Sequence, residues 1–591
     1  MKNHLLIPVL CGSLFTQIAH SQELEWSFAT AIGTANNSIA TLATDSQNNF
    51  IIGGILQGTG DFDPNAGTTQ LTSSGLKDAY IAKYDEDKNL LWAFTFGGDE
   101  DEDIISDIVV DDADNIYIGG FFTGTVDFDP SAGEQSLTSH PMGVGTSAFV
   151  LKLDANGNFL WVKDYGVGNI ANSNKIMALA LDNDRNLIVG GKYYSNGNFP
   201  MVFEEGNPDA ELNEGDKMAQ YVLKLNENGE FIWVKRIVAH SIKSIEVDAA
   251  NSIYITGEYT TSGVYYNPND MNPDPNVVET LPVFGQTDIF ICKLNESGEY
   301  QWSNGMGNAY VDNASKLAVD NNGNVSFIGT FVGEMEVDPS ENSFLLNFDL
   351  SINAYIIQYS SGGTLNWAAA IGDENGKEDV FYDITVDSGN NLYIAGFIGG
   401  PTDMNPGVGD SIVGTNAQYR PVMLKLKGDG EFVYTQYYAT NTLSGNYSHA
   451  TAISLATDGS VYLGGNFAGL LDSDAGEGEA NLTSTGFTDL FVIKLHNEVE
   501  GGQGGTSGIT EHVNTLAAVA YPNPGADFVL IQAAVAEKFT VRVMNQYGQV
   551  ISSETSHSHE HTLSTATFAT GIYFIEVAAE GNHQIIKWVK E

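Results

Sequence analysis

One strand pattern, an apolar run closed by glycine, returns seven times along the chain, and this periodicity limits the architecture more than any other feature. It reads Phe50-Ile51-Ile52-Gly53-Gly54, then Ile116-Tyr117-Ile118-Gly119-Gly120, then Leu187-Ile188-Val189-Gly190-Gly191. Later copies close at Gly257, Gly329, Gly396 and Gly465, and the intervals between closing glycines are 66, 71, 66, 72, 67 and 69 residues. Each unit holds a second strand, such as Ala148-Phe149-Val150-Leu151-Lys152-Leu153. An Asp/Asn/Gly turn follows, then a strand centred on an aromatic: Trp92, Trp161, Trp233, Trp302, Trp367 and Tyr434. Short strands separated by turn residues pair as antiparallel hairpins. About four such strands per unit make one blade of a β-propeller, with a solenoid as the alternative.

The chain ends favour the ring. The seventh unit has its Leu490 strand but no aromatic strand after it, whereas an unmatched one, Glu23-Leu24-Glu25-Trp26-Ser27-Phe28, stands near the N-terminus. If Trp26 completes the last blade, the two ends lock the ring and cover an edge that would otherwise invite aggregation. The expected fold is therefore all-β: a seven-bladed β-propeller over 22–497, closed by an N-terminal strand, with a small C-terminal β-sandwich domain over 515–591.

Segments outside the repeats read differently. Residues 1–21 have the form of a secretory signal peptide: Lys2, an apolar Leu5–Phe15 stretch, and Ala19-His20-Ser21 as a small-residue cleavage site. Cys11 would be the lipidated residue of a lipoprotein, but bulky Leu10 precedes it. No other apolar run approaches the roughly 20 residues that span a bilayer, so no transmembrane segment is expected in the mature chain. Residues 498–514 form a glycine-rich linker, including Gly501-Gly502-Gln503-Gly504-Gly505. With Cys11 removed, Cys292 has no disulfide partner and reads as a small buried hydrophobe.

Two resemblances follow from these motifs. The glycine-ended strand, the Asp-Phe-Asp-Pro loop and the Trp strand resemble the SBBP (seven-bladed β-propeller) repeats of bacterial surface and secreted proteins. That likeness implies a propeller in an extracellular setting. The C-terminal residues Tyr521-Pro522-Asn523-Pro524, the strand Gly571-Ile572-Tyr573 and the ending Lys587-Trp588-Val589-Lys590 resemble the type A sorting domain of the Bacteroidetes type IX secretion system. This second likeness implies that the type IX machinery is a partner and that the protein is secreted or attached to the outer-membrane surface. An ordinary β-sandwich adhesion module is the plainer reading of the same residues.

Charge narrows the partners. The formal net charge is −50, which repels nucleic acid and anionic lipid and suits divalent cations, a basic partner or a simply solvated surface. Carboxylates recur seven and nine positions after the closing glycine: Asp61 and Asp63, Asp127 and Asp129, Glu336 and Asp338, Asp403 and Asn405, Asp472 and Asp474. Alternate residues of an extended segment project to one side, so these oxygens are candidate calcium ligands. The competing reading is a turn in which the acid caps backbone amides and a following proline fixes the bend. Blades three and four carry Asn198 and Val264 at the first of these positions and leave the pattern. A second recurrent acid, Asp45, Asp111, Asp182, Asp248, Asp320 and Asp387, reads as a structural turn acid. His557, His559 and His561 alternate and would share one face of a strand, as a transition-metal site or a solvated strand end.

The sequence carries no catalytic motif. Arg185, Arg236 and Arg420 stand at non-equivalent positions, and the glycine-rich segments end strands rather than open helices. The expected function is a non-enzymatic binding or structural scaffold for an extracellular glycan or protein ligand. The alternative is a polysaccharide-active hydrolase or lyase with a carboxylate pair in the irregular loops 199–216 or 265–284.

Overall fold

The computed structural model describes residues 23–496 and 518–590, apart from 31–36, 100–101, 132, 140–144, 167–173, 196–199, 214–216, 261–268, 339–342, 374–375, 408–410, 415–418, 442–447, 476–478, 485–487, 522–527, 534–537, 546–549, 557–559 and 580–581. The expected signal peptide and linker lie outside the described residues. The chain divides into two compact units, Met1–Val499 and Glu500–Glu591.

Within the first unit the described strands form seven four-stranded antiparallel sheets, one per repeat. Blade one runs Ser38–Thr44, Phe50–Leu56, Asp78–Tyr84, Leu90–Phe96 from the centre outward. The first strands of successive blades pack on one another and line a central channel; they are Ser38–Thr44, Ile104–Val110, Lys175–Leu181, Ser241–Val247, Asn313–Val319, Val380–Val386 and His449–Leu455. The seventh blade takes its outer strand from the N-terminus: Glu23–Thr30 pairs antiparallel with Asp489–His496, with Trp26 opposite Lys494.

The repeated glycine follows from a defect repeated in the inner strands. Each first strand shifts register near its middle, as between Ile39 and Thr41 or between Ile105 and Asp107. Such a bulge inserts one residue and re-aims the side chain that follows. The displaced backbone fills the space above the facing strand: a Cβ on Gly120 would lie 2.0 Å from the Ile104 carbonyl oxygen, and one on Gly465 would lie 2.0 Å from that of His449. Only glycine fits there.

Blades are tied to their neighbours by a second repeated device. In blades one to four the third-strand lysine donates to a carbonyl in the outer turn of the next blade: Lys83 to Ala155 at 2.9 Å, Lys152 to Glu227 at 3.0 Å, Lys224 to Glu296 at 3.3 Å and Lys293 to Ser361 at 3.2 Å. The outer-strand indole often donates to the same carbonyl, as Trp161 does to Glu227 at 3.3 Å and Trp302 to Ser361 at 3.1 Å. The recurrent turn acid then pairs with the lysine, Asp45 with Lys83 at 2.8 Å and Asp182 with Lys224 at 2.8 Å. Burial works to raise the Asp182 carboxyl, but Lys224 and the Asn186 amides outweigh it and hold its pKa below the usual value. These acids are structural, as their turn positions suggest.

In the second unit, two sheets share one core. Ala518–Tyr521, Phe528–Ala533 and Glu560–Ser564 form one; Val550–Ser556, Phe539–Asn545, Gly571–Ala579 and Asn582–Lys590 form the other. Alternation buries Val529, Ile531, Val541, Val543, Ile575, Val577 and Trp588 together.

The seam between blades seven and one gives a direct test of closure. The Trp26 indole donates to the Glu86 carbonyl at 2.9 Å, and its ring lies 5.5 Å from Phe50 of blade one. Because Trp26 is only half-buried, Trp26→Ala is expected to cost about 2 kcal/mol, less than a fully buried tryptophan. Removing 22–28 altogether is expected to lower the melting temperature strongly and to cause association through the uncovered edge. Differential scanning calorimetry with light scattering reads both; an unchanged, monomeric deletion variant refutes closure by this strand.

Candidate functional site in the central channel

At the inner-strand bulges one position per blade changes chemistry around the ring. At the fourth residue of each inner strand stand Thr41, Asp107, Ala178, Ser244, Lys316, Asp383 and Ala452. Two residues further along blade four stands Glu246. Lys316 of blade five reaches across the ring to Asp107 of blade two, Nζ to Oδ1 at 3.2 Å. Three carboxylates thus face one ammonium.

Two of the acids also do structural work. Asp107 accepts the Leu179 amide at 3.0 Å and Asp383 accepts the Ile453 amide at 2.9 Å, each from the next blade. Ser244 accepts the Leu317 amide in the same way at 3.2 Å. Burial pushes Asp383 up to about 6 against the pull of Lys316. Burial also works to lower Lys316, but Asp107 and Asp383 outweigh it and keep the ammonium protonated. Enclosure raises the Glu246 carboxyl, with Lys316 opposing and Asp107 adding to the rise. Glu246 is nevertheless exposed to channel water, which moderates that shift. The girdle therefore attracts cations and holds protons near neutral pH.

Long connections lie on one face. Turns from first to second strand and from third to outer strand are tight, such as Asp45–Asn49 and Asp85–Asn89. The links from second to third strand and from outer strand to the next blade are long, and strand alternation puts them together on the opposite face. The candidate calcium residues sit there. Asp61 accepts the amides of Asp63 at 3.2 Å and Thr69 at 2.8 Å; Asp63 accepts that of Asn65 at 2.9 Å. Asp127 repeats this with Asp129 at 3.1 Å and Gln135 at 2.8 Å, and Asp129 accepts from Ser131 at 2.9 Å. Asp403 accepts from Asn405 at 3.1 Å and Ser411 at 2.8 Å, and Asn405 from Gly407 at 2.8 Å. Asp472 accepts from Asp474 at 3.2 Å and Ala480 at 3.0 Å. In blade five Glu336 accepts from Asp338 at 3.0 Å and Phe344 at 2.9 Å, inside a long hairpin rather than a separate loop. The first acid of each set closes a loop of seven to nine residues. Among the described residues no group of three or more His, Cys, Asp or Glu is placed to hold a metal.

Counting from the closing glycine missed one copy of this loop. In blade four, Asp270 accepts the amides of Asn272 at 3.2 Å and Glu279 at 3.0 Å, so Asp270-Met271-Asn272-Pro273 is the counterpart of Asp403-Met404-Asn405-Pro406. A longer approach displaces it from the expected Val264, and the shared string was the signal that could have located it. Cys292 is fully buried, and burial raises its thiol far above the usual range. His561 bonds to Glu554 at 3.0 Å, while His557 and His559 lie outside the described residues.

Geometry thus defines a propeller with a charged channel and one loop-rich face, joined in one chain to a separate β-domain. Residues 519–591 match the family described as the secretion system C-terminal sorting domain. The protein is accordingly secreted or attached to the cell surface, and among the described residues no helix is long and apolar enough to cross a membrane. An uncharacterized WD repeat-containing protein of Acanthamoeba polyphaga mimivirus is 23% identical over 446 residues, covering 63% of this chain. The chain spans only 31% of that relative's length. Among solved structures, PorZ, a surface component of the type IX secretion system of Porphyromonas gingivalis, is 12% identical with a TM-score of 0.20, covering 95% of this chain and all of that one. A fungal alcohol oxidase of the AA5 family is 10% identical with a TM-score of 0.29, covering 96% of this chain and 99% of that one. Likenesses at these scores carry no argument about this chain.

The girdle predicts a pH-dependent cost of neutralising its lysine. Lys316→Met leaves Asp107 and Asp383 facing each other without a counter-charge, at roughly 2 kcal/mol, below the fully buried case because Lys316 keeps contact with channel water. Acid relieves that repulsion by protonating Asp383. The variant is expected to lose more stability at pH 7.5 than at pH 5, and equal losses in urea unfolding at the two values refute a coupled girdle.

Proposed function

We propose that the mature protein is a non-enzymatic binding or structural scaffold at the cell exterior. It is exported by the type IX machinery through its C-terminal domain and presents its long-connection face to an extracellular glycan or protein ligand. One observation carries the reading: a match to the secretion sorting domain at 519–591 follows a propeller whose long connections share one face. Variation on a rigid scaffold is where recognition usually resides. The proposed kinship with SBBP repeats rests on the repeat motifs and agrees with this setting. The hydrolase or lyase alternative is less favoured, because Asp270 in the blade-four loop is held by Arg236 at 2.9 Å as well as by two amides.

Export is the first test. Deleting 515–591 is expected to leave the propeller in the periplasm of its native host, and immunoblots of periplasm, surface and medium read the outcome. Unchanged surface and medium levels refute the proposal. A glycan array with product analysis then separates binding from turnover.

Calcium belongs to the same proposal. A surface with this acid excess repels itself, and an ion bound at the rim loops would stabilise the fold by about 2.7 kcal/mol at a hundredfold excess over its dissociation constant. Calcium is expected to raise the melting temperature more than magnesium at equal ionic strength. The quadruple change Asp61→Asn, Asp63→Asn, Asp127→Asn, Asp129→Asn should shrink that difference; equal responses to the two ions reduce the loops to turns.

A further inference from the structure

Four of the blade boundaries share a slot on the long-connection face. There the residue preceding an inner strand bonds back to the start of the previous blade's third strand. The Asp103 amide donates to the Lys77 carbonyl at 3.0 Å, that of Asn174 to Thr146 at 3.3 Å, that of Asp312 to Thr287 at 2.9 Å and that of Asp379 to Ile352 at 3.0 Å. This brings four pairs of residues together across the boundary: Asp78 with Asp103, Ser147 with Asn174, Asp288 with Asp312, and Asn353 with Asp379.

Three chemistries fill one slot. Ser–Asn and Asn–Asp each include a donor as well as acceptors. Asp–Asp offers acceptors only. Asp288 and Asp312 are both 0% exposed, and Asp78 and Asp103 are both 1% exposed. In the first pair, Asp288 Oδ2 accepts the Phe284 amide at 2.9 Å and Asp312 Oδ2 accepts the Asn308 amide at 2.7 Å, while both Oδ1 atoms are buried with no hydrogen-bond partner. Gly307 is pressed against Asp288, since a Cβ there would lie 2.3 Å from Oδ1. Gly97 meets Asp78 in the same way, but in this pair every oxygen accepts an amide: Asp78 from Ser74 at 2.7 Å and Gly75 at 3.2 Å, Asp103 from Gly98 at 3.1 Å and Thr123 at 2.9 Å. Two buried carboxylates side by side cannot both ionise cheaply.

We propose that the pairs Asp288–Asp312 and Asp78–Asp103 each hold one shared proton at neutral pH, and that its loss as pH rises loosens the boundaries between blades four and five and between blades one and two.

Among the described residues no cation is paired with either couple. Asp288 and Asp312 are faced by the hydroxyl-bearing rings of Tyr259 and, beside Asp312, Tyr355. Glu258 lies next to Tyr355, and its own counter-ion is Lys243 at 3.2 Å. Asp99 faces Asp78 and adds to the repulsion. The flanking Lys77 is engaged with Glu102 at 3.1 Å. Burial, with the neighbouring acid adding to it, pushes Asp312 and Asp103 each up to about 7. Because the folded state binds this proton more tightly than the unfolded chain does, its contribution is complete below about pH 4 and is lost as pH rises toward 7.

Full-chain protein with Asp103→Asn and Asp312→Asn tests the pairs, since an amide supplies the donor without a proton. Wild type is expected to lose several degrees of melting temperature between pH 5 and pH 8. The double variant should lose less and should melt above wild type at pH 8. Infrared spectra of wild type at pH 7 should show a protonated carboxyl band that shrinks in the variant. Identical pH slopes and an unchanged band overturn the proposal. A slope that calcium abolishes and a chelator restores overturns it in favour of a bound cation. If the double variant does not fold, Asp312→Asn alone is put to the same two measurements, and an unchanged slope and band overturn the proposal.

Discussion

Six of the seven blades lean on the outer turn of the next, and the ring depends on that contact. A tryptophan or its equivalent lies over a turn residue held at positive φ, and a long polar side chain from the same blade bonds a carbonyl of that turn. Gly157 at φ 81° sits under Trp92, Gly229 at φ 76° under Trp161, and Gly363 at φ 83° under Trp302. A side chain at these glycines would strike the ring and strain the backbone. Blade five keeps the device with Gln358 in place of lysine, donating to Gly428 at 2.9 Å beside the Trp367 indole at 3.1 Å.

The exceptions follow from the same contact. Blade seven has no turn between its third and outer strands, because its outer strand arrives from the N-terminus. Blade six, which faces that blade, is the one that carries Tyr434 instead of tryptophan. At the seam, Lys494 and Trp26 both donate to Glu86 of blade one, at 3.3 and 2.9 Å. Lys88 takes the left-handed position there at φ 62°, with its ammonium 5.7 Å from the Trp26 ring. Blade seven also has Ala456 where six blades carry the turn acid, and Lys494 pairs instead with Glu25 at 3.1 Å on the closing strand.

Much of this was legible because repeats expose their own rules. The closing glycines, the Asp/Asn/Gly turns and the unmatched Trp26 strand announced blade count and closure before any coordinate, since each is a local steric demand. The candidate sites were less legible. Asp61 and Asp127 were recognisable as loop acids, yet only the structure shows their oxygens engaged by the amides two and eight residues on. Asp270 was hidden by an insertion, and the channel girdle was hidden because one inner-strand position changes chemistry from blade to blade: Asp107, Lys316 and Asp383 stand where other blades carry Thr41, Ala178, Ser244 and Ala452.

The sequence by itself determined the architecture: seven glycine-marked units, an aromatic strand displaced to the N-terminus, and a C-terminal module with export motifs. Those features act through short-range sterics and strand periodicity, which the order of residues encodes directly. Only the tertiary structure decided which charges meet. Lys316 reaches Asp107 across 209 residues and the width of the channel, and Asp288 finds Asp312 at a blade boundary. Such pairings depend on ring closure and burial, and burial turns ordinary carboxylates into groups that hold protons near neutral pH.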